Sequence, residues 1–257
     1  MLNIGLVLPD VLGTYGDDGN ALVLRQRARM RGLDAEIHPI RLGEPVPETL
    51  DIYTIGGGED TAQILAAEHL IADGGLTRAA TAGRPILAIC AGLQVLGESF
   101  RASGRIIDGV GLIDATTAGM QDRAIGEVSS TPTGAGVTAD LTEPLTGFEN
   151  HLGATILGPS ARPLGTLTRG NGNADQAATA DLADGSTQRT YEGAVQGSVI
   201  ATYMHGPALA RNPQLADLLL AQAMGVSLAD LDPLDIPAVD RLRTERFNAA
   251  EPPRSQR

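Results

Sequence analysis

Short apolar runs alternate with helix-like ones through the first hundred residues, and this alternation leaves few architectures open. Residues 3–8, 35–40, 51–55 and 85–89 read as strands, and residues 20–30, 61–72 and 91–100 as helices. Strand and helix alternating in units this short predict an α/β fold, a largely parallel central sheet with helices on both faces. Asp17, Asp18 and Asn20 are the candidates to cap the first helix. Sheets of this kind bind ligands at the carboxyl ends of their strands. Two features fall at such ends, the triple glycine Gly56-Gly57-Gly58 and Cys90.

The texture changes near residue 111. Strand-like runs at 111–115, 125–129 and 154–157 are separated by turns rich in Gly, Thr and Pro. Residues 168–188 are polar and Gly/Asn/Asp-rich, which reads as a long loop with some mobility. A strand at 199–204 and a helix at 213–224 follow, and 248–257 reads as a frayed tail. No repeat or clean linker divides the chain, so residues 1–247 are expected to form one domain.

Composition excludes several function classes. All 19 basic residues are arginine, against 31 acidic ones, and the formal net charge is −12. Without lysine there is neither a P-loop phosphate ligand nor a Schiff-base amine. ATP chemistry is therefore expected on another polypeptide, although compositional bias of the source also accounts for the missing lysines. The acidic balance argues against nucleic acid or an anionic membrane as partner. A single cysteine rules out an internal disulfide and any multi-cysteine metal site. No signal peptide or membrane span is visible, and the expected location is the cytoplasm.

The sharpest local feature is Ala88-Ile89-Cys90-Ala91-Gly92-Leu93-Gln94, a buried strand running through a cysteine into a helix. A nucleophile on such a turn needs small neighbours because the backbone bends tightly, and the helix N-terminus favours the thiolate. The competing reading is a packed structural cysteine; the small-residue context favours the nucleophile. A cysteine nucleophile works with a histidine base. His38 precedes a proline in an extended segment and His69 lies within a helix. His205 ends an apolar strand and precedes Gly206-Pro207, mirroring Cys90, and is the preferred base. His151, after Phe148-Glu149-Asn150, stays in play.

Taken together, the motifs resemble the class I (triad) glutamine amidotransferases of the cobyric-acid-synthase-like branch, and within it the glutaminase subunits of lipid II isoglutaminyl synthases. The residues behind this are Tyr15-Gly16-Asp17-Asp18-Gly19-Asn20, Gly56-Gly57-Gly58-Glu59-Asp60 and Cys90-Ala91-Gly92-Leu93-Gln94-Val95-Leu96-Gly97. Gly147-Phe148-Glu149-Asn150-His151, Gly170-Asn171-Gly172-Asn173, and Tyr203-Met204-His205-Gly206-Pro207 with Asn212-Pro213 extend it over nearly the whole chain. The resemblance implies a flavodoxin-like three-layer sandwich that hydrolyses L-glutamine to glutamate and ammonia, with no cofactor or metal. It casts Cys90 as nucleophile and His205 as base and later acid. The backbone N–H of Ala91 and of Gly57 (or Gly58) would hold the oxyanion, although three glycines also make an ordinary tight turn. Arg123 aligns with the arginine that grips the substrate α-carboxylate, a role that position alone would not suggest. Gln94, one turn past Cys90, is placed to contact substrate or cap the loop.

The implied partner is a Mur-ligase-like ATP-dependent synthetase subunit, forming a heterodimer that amidates the D-glutamate of lipid II in peptidoglycan synthesis. Corrinoid amidation and a non-catalytic binding domain on the same fold are the alternatives. The sequence departs from the family in two places. Ala88 stands where many members have glycine, a small change. Pro207 stands where the usual triad has a glutamate, two residues after the histidine. The carboxylate that orients His205 is therefore expected from elsewhere, with the partner subunit a candidate source.

Overall fold

Ile52–Ile55, Ile86–Ile89 and Val199–Thr202 are strands in which every residue is buried, which demands cover on both faces of a sheet. A computed structural model describes residues 1–13 and 15–248. The chain runs β1 (Leu2–Val7), α1 (Gly19–Met30), β2 (Ala35–Ile40), β3 (Ile52–Ile55), α2 (Asp60–Asp73), α3 (Gly75–Thr81), β4 (Ile86–Ile89) and α4 (Ala91–Leu96). It continues through β5 (Ser99–Ala102), β6 (Arg105–Asp108), β7 (Ala115–Pro132), β8 (Leu145–Leu157), β9 (Gly165–Arg169) and α5 (Gly185–Gln188). Last come β10 (Tyr191–Glu192), β11 (Ala194–Gln196), β12 (Val199–Thr202), α6 (Ala208–Arg211), α7 (Pro213–Met224) and α8 (Pro237–Phe247).

The central sheet has the order β11-β12-β4-β3-β1-β2, parallel throughout except for the edge strand β11. This is the expected α/β architecture. A second sheet, β10-β9-β7-β5-β6 with β8 on β7, was not legible in the sequence. The separate runs expected around 111–157 belong largely to two long antiparallel strands, β7 and β8. Much of β7 is exposed, so burial does not impose a clean alternation on its residues. Both sheets feed one continuous core, in which Ile4, Ile55 and Leu87 of the first join Phe100, Val128 and Leu145 of the second.

Four local expectations need correction. The helix after Cys90 stops at Leu96, because residues 99–102 leave it to pair with β6 and β7. A further short helix, α3, follows the left-handed Gly74 that ends α2. α8 buries no residue and so carries no apolar stripe to betray it. The segment expected as a loose loop at 168–188 is pinned in place. Asn173 and Gly193 exchange two hydrogen bonds of 2.9 and 2.7 Å, and the Gln188 amide bonds both backbone groups of Leu157. The tail reading at 248–257 lies outside the described residues, save Asn248. No helix among the described residues is long and apolar enough to cross a membrane.

Outside the core, α1 and α7 are joined by one carboxylate. Asp217 accepts from Arg27 Nε and Nη2 at 2.7 and 2.6 Å and from Arg31 Nη2 at 2.9 Å, and all three side chains are largely buried. Truncating the shared partner strands two buried cations. Asp217→Ala is expected to cost about 3 kcal/mol of unfolding free energy, read from the urea midpoint.

Candidate active site

The backbone turns from β4 into α4 in one residue, Cys90, with φ 53° and ψ −104°. A side chain held in that left-handed region costs about 1–3 kcal/mol unless its surroundings enforce it. They do so here from both sides. The Cys90 N–H donates to the Thr202 carbonyl of the adjacent strand at 2.8 Å. Behind it, a Cβ on Gly92 would lie 3.0 Å from the Ile55 carbonyl oxygen, so glycine eases the close packing of α4 on the end of β3. Glu192 supports the same strand end by accepting from the Thr202 hydroxyl and the Tyr203 N–H. Burial outweighs those bonds and pushes Glu192 up to about 7.

His205 lies three residues past β12, next to β4 in the sheet, and is held by paired backbone bonds with Phe148 of β8. Its Nδ1 is 3.0 and 3.1 Å from the two oxygens of Asp17. A carboxylate only accepts, so Nδ1 carries the proton and Nε2 is left as the base nitrogen. Nε2 is buried without a hydrogen-bond partner. Burial alone would lower the His205 pKa. Its bond to Asp17, the neighbouring Cys90 and the charges on both outweigh that and push it up to about 10.

Asp17 corrects two expectations at once. A carboxylate of this chain, that of Asp17, already meets His205 Nδ1, so this contact does not require a partner subunit. Nor does Asp17 cap α1: the N-cap position belongs to Asp18, which makes no side-chain cap bond. Asn20 instead donates to the Asp17 carbonyl at 2.9 Å and accepts the Leu209 N–H at 2.9 Å, lashing the Asp17 turn to the segment after His205. Pro207, at the position of the missing glutamate, packs so closely on Gly19 that a Cβ there would come within 2.2 Å of it. Two signals for Asp17 were present in the sequence: it follows a parallel strand, as Cys90 and His205 do, and it lies in the Tyr15–Asn20 motif.

A cavity of about 450 Å³ opens beside Cys90. Gly58, Glu59, Gln94, Arg123 and His151 line it, so the structure brings the candidate nucleophile, Arg123 and Gln94 to one space. Arg123 projects from the stretch where the β7–β8 register shifts, between Gly119 and Ala124, and donates to Asn150 Oδ1 at 3.1 Å. Gln94 donates to the Tyr203 hydroxyl at 3.1 Å, which steadies its amide. Ala91 is the first residue of α4, so its N–H has no intrahelical acceptor.

Gly57 is placed differently from the expectation. Its N–H donates to Asp17 Oδ2 at 2.9 Å and so points away from the cavity, whereas Gly58 lines it. A Cβ on Gly57 would stand 3.1 Å from His205 Cε1 and 3.5 Å from Cys90 Cβ, which shows how tightly the loop packs on both. The remaining histidines serve the scaffold. His38 bonds Asn3 at 3.0 Å and His69 bonds the Glu44 carbonyl at 2.9 Å. His151 is stacked on Tyr203 at 3.7 Å and donates from Nδ1 to the Gly153 carbonyl, so it forms cavity wall.

The model of the CobB/CobQ-like glutamine amidotransferase domain matches residues 3–213. The chain belongs to that family. Subunit GatD of the lipid II isoglutaminyl synthase (glutamine-hydrolyzing) of Streptococcus pneumoniae is 33% identical over 227 residues, covering 87% of this chain and 80% of that one. The Staphylococcus aureus GatD subunit is 32% identical, covering 86% and 84%. The cobyric acid synthase of Sphingopyxis alaskensis is 29% identical over 70% of this chain but 33% of its own length. Among solved structures, a glutamine amidotransferase superimposes with a TM-score of 0.54 at 18% identity, covering 86% of this chain and 98% of that one. The Trypanosoma brucei CTPS glutaminase domain with bound acivicin gives 0.51 at 12%, covering 88% and 95%. Those two likenesses establish the fold. Family membership makes the chain a glutamine amidotransferase, a hydrolase of the glutamine amide.

The raised pKa of His205 has a testable sign. A folded pKa above the unfolded value contributes stability that is whole below about pH 6.5 and is lost as pH rises through about 10. Asp17→Asn is expected to lower the His205 pKa, read by imidazole NMR. The native chain's stability advantage over that variant should be larger near about pH 6 than near about pH 10 in urea unfolding.

Proposed function

We propose that this chain is the glutaminase subunit of a two-subunit amidating enzyme, with Cys90, His205 and Asp17 as its triad. The observation that carries the reading is the His205–Asp17 contact at 3.0 Å beside a strained Cys90. His205 Nε2 takes the Cys90 thiol proton, and the sulfur attacks the side-chain amide carbon of glutamine. The oxyanion is held by the N–H of Ala91 and by the glycine loop, with Gly58 in the place first assigned to Gly57. His205 then protonates the departing nitrogen, which leaves as ammonia, and a glutamyl thioester remains on Cys90. Water deprotonated by His205 cleaves the thioester, releasing glutamate and regenerating the thiol.

Arg123 pairs with the substrate α-carboxylate, for which its fork of donors is suited. Gln94 steadies the cavity floor through Tyr203. Ammonia passes to a Mur-ligase-like ATP-dependent subunit, of the MurT type, that amidates the D-glutamate of lipid II. That subunit, rather than this lysine-free chain, binds ATP and Mg²⁺. The two GatD relatives, similar over at least four-fifths of their length, support this acceptor over a corrinoid one. Because the triad carboxylate is internal, the acid–base machinery does not wait for the partner.

Cys90→Ala should lower glutamine-dependent ammonia release by at least about a thousandfold, and Asp17→Asn by on the order of 10²–10⁴-fold in kcat. Arg123→Ala should act mainly on KM, raising it about tenfold or more. Release unchanged by Cys90→Ala would remove Cys90 from the mechanism. The acceptor is tested by reconstitution with the co-purifying ATP-dependent subunit: glutamine-dependent amidation of lipid II is expected, and corrinoid amidation in its place would overturn the assignment.

A further inference from the structure

Glutamine is a zwitterion, and Arg123 meets only one of its two charges. The charged side chains that line the cavity are Glu59, Asp60, Arg101 and Arg123, so the α-ammonium has two possible anions. Asp60 is already engaged, its Oδ2 accepting the Ser103 N–H at 2.6 Å. Glu59 sits at the N-cap of α2, and its carboxylate makes no bond to the first turn of the helix. It turns toward the cavity, where Oε1 accepts the Tyr15 hydroxyl at 2.8 Å. Among the described residues Oε2 has no partner.

Tyr15 is partly exposed and stands beside His205. Its backbone is left-handed, with φ 69°, and its ring lies 5.2 Å from that of His205. Its hydroxyl donates to Glu59 from the same turn that carries Asp17.

We propose that Glu59, oriented by Tyr15, receives the α-ammonium of glutamine and makes the site selective for an α-amino acid amide over a simple amide of the same length. The assignment rests on the reading of the cavity as the glutamine site. Electrostatics around Tyr15 agree with it. The bond to Glu59 and then burial raise the Tyr15 pKa, the Glu59 and Cys90 charges add to the rise, and the Arg123 charge opposes it. Glu59, Arg123 and Cys90 line the same cavity as Tyr15. A substrate with its carboxylate on Arg123 and its amide at Cys90 brings its ammonium to the same neighbourhood.

The test uses the full chain carrying Cys90→Ala, which binds without turnover, and two probes in calorimetry. One probe is L-glutamine. The other is 4-carbamoylbutanoate, which keeps the carboxylate and the amide but lacks the ammonium. L-glutamine is expected to bind roughly tenfold or more tightly than 4-carbamoylbutanoate, as a charge-assisted bond allows. Adding Glu59→Gln should erase that preference by weakening L-glutamine alone, and Tyr15→Phe should erode it part-way. Unchanged 4-carbamoylbutanoate affinity shows that the cavity is intact. A preference that survives Glu59→Gln overturns the assignment while leaving the glutaminase reading standing. If the Cys90→Ala chain binds neither probe, the glutamine site itself is wrongly placed and both readings fall.

Discussion

One buried carboxylate holds the catalytic end of this molecule together. Asp17 is 2% exposed, and an ionised carboxylate is tolerated at that depth only when donors surround it. The imidazole of His205 and the backbone N–H of Gly57 supply them. Those donors follow β12 and β3, while Asp17 follows β1, so a single side chain ties together loops from three strands of the sheet. Cys90, after β4, lies between them. The usual route to an oriented histidine, an acid two residues downstream, is closed by Pro207. The proline packs on Gly19 instead and helps bring the Asp17 turn to the histidine.

The two sheets divide the labour. The parallel sheet presents the reactive groups because its strand ends converge on one edge, as expected for a doubly covered sheet. The second sheet folds over that edge and closes the space with Arg101, Arg123, Asn150 and His151. The Cys90–His205–Asp17 cluster and much of the cavity wall thus sit on different sheets. Arg123 comes from a register shift in the long hairpin, where pairing relaxes enough to re-aim a side chain.

Cys90 and His205 were legible because each signal is local. An apolar strand ending in a reactive residue followed by small or helix-starting residues has one common physical meaning. Arg123 was legible only through resemblance, since nothing in Gln121-Asp122-Arg123-Ala124 marks a cavity wall. Asp17 was read as a helix cap because Asp, Asp and Asn before a helix are ordinary capping chemistry. Local propensity could not reveal that its carboxylate points backward, toward a histidine 188 residues away. The engagement of the Gly57 N–H by Asp17 is hidden for a related reason, since the direction of a glycine N–H depends on which acceptor comes near it.

The fold class, the candidacy of Cys90 and His205, and the exclusion of lysine-dependent nucleotide chemistry from this chain were already present in the order of amino acids. These follow from periodicity, residue type and composition, which are properties of short windows. The contact of Asp17 with His205, the second sheet, the aim of the Gly57 N–H and the turning of Glu59 toward the cavity emerge only in three dimensions. Each depends on contacts between segments far apart in the chain. Such contacts are set by how strands stack and where loops meet, and no window of sequence carries that information.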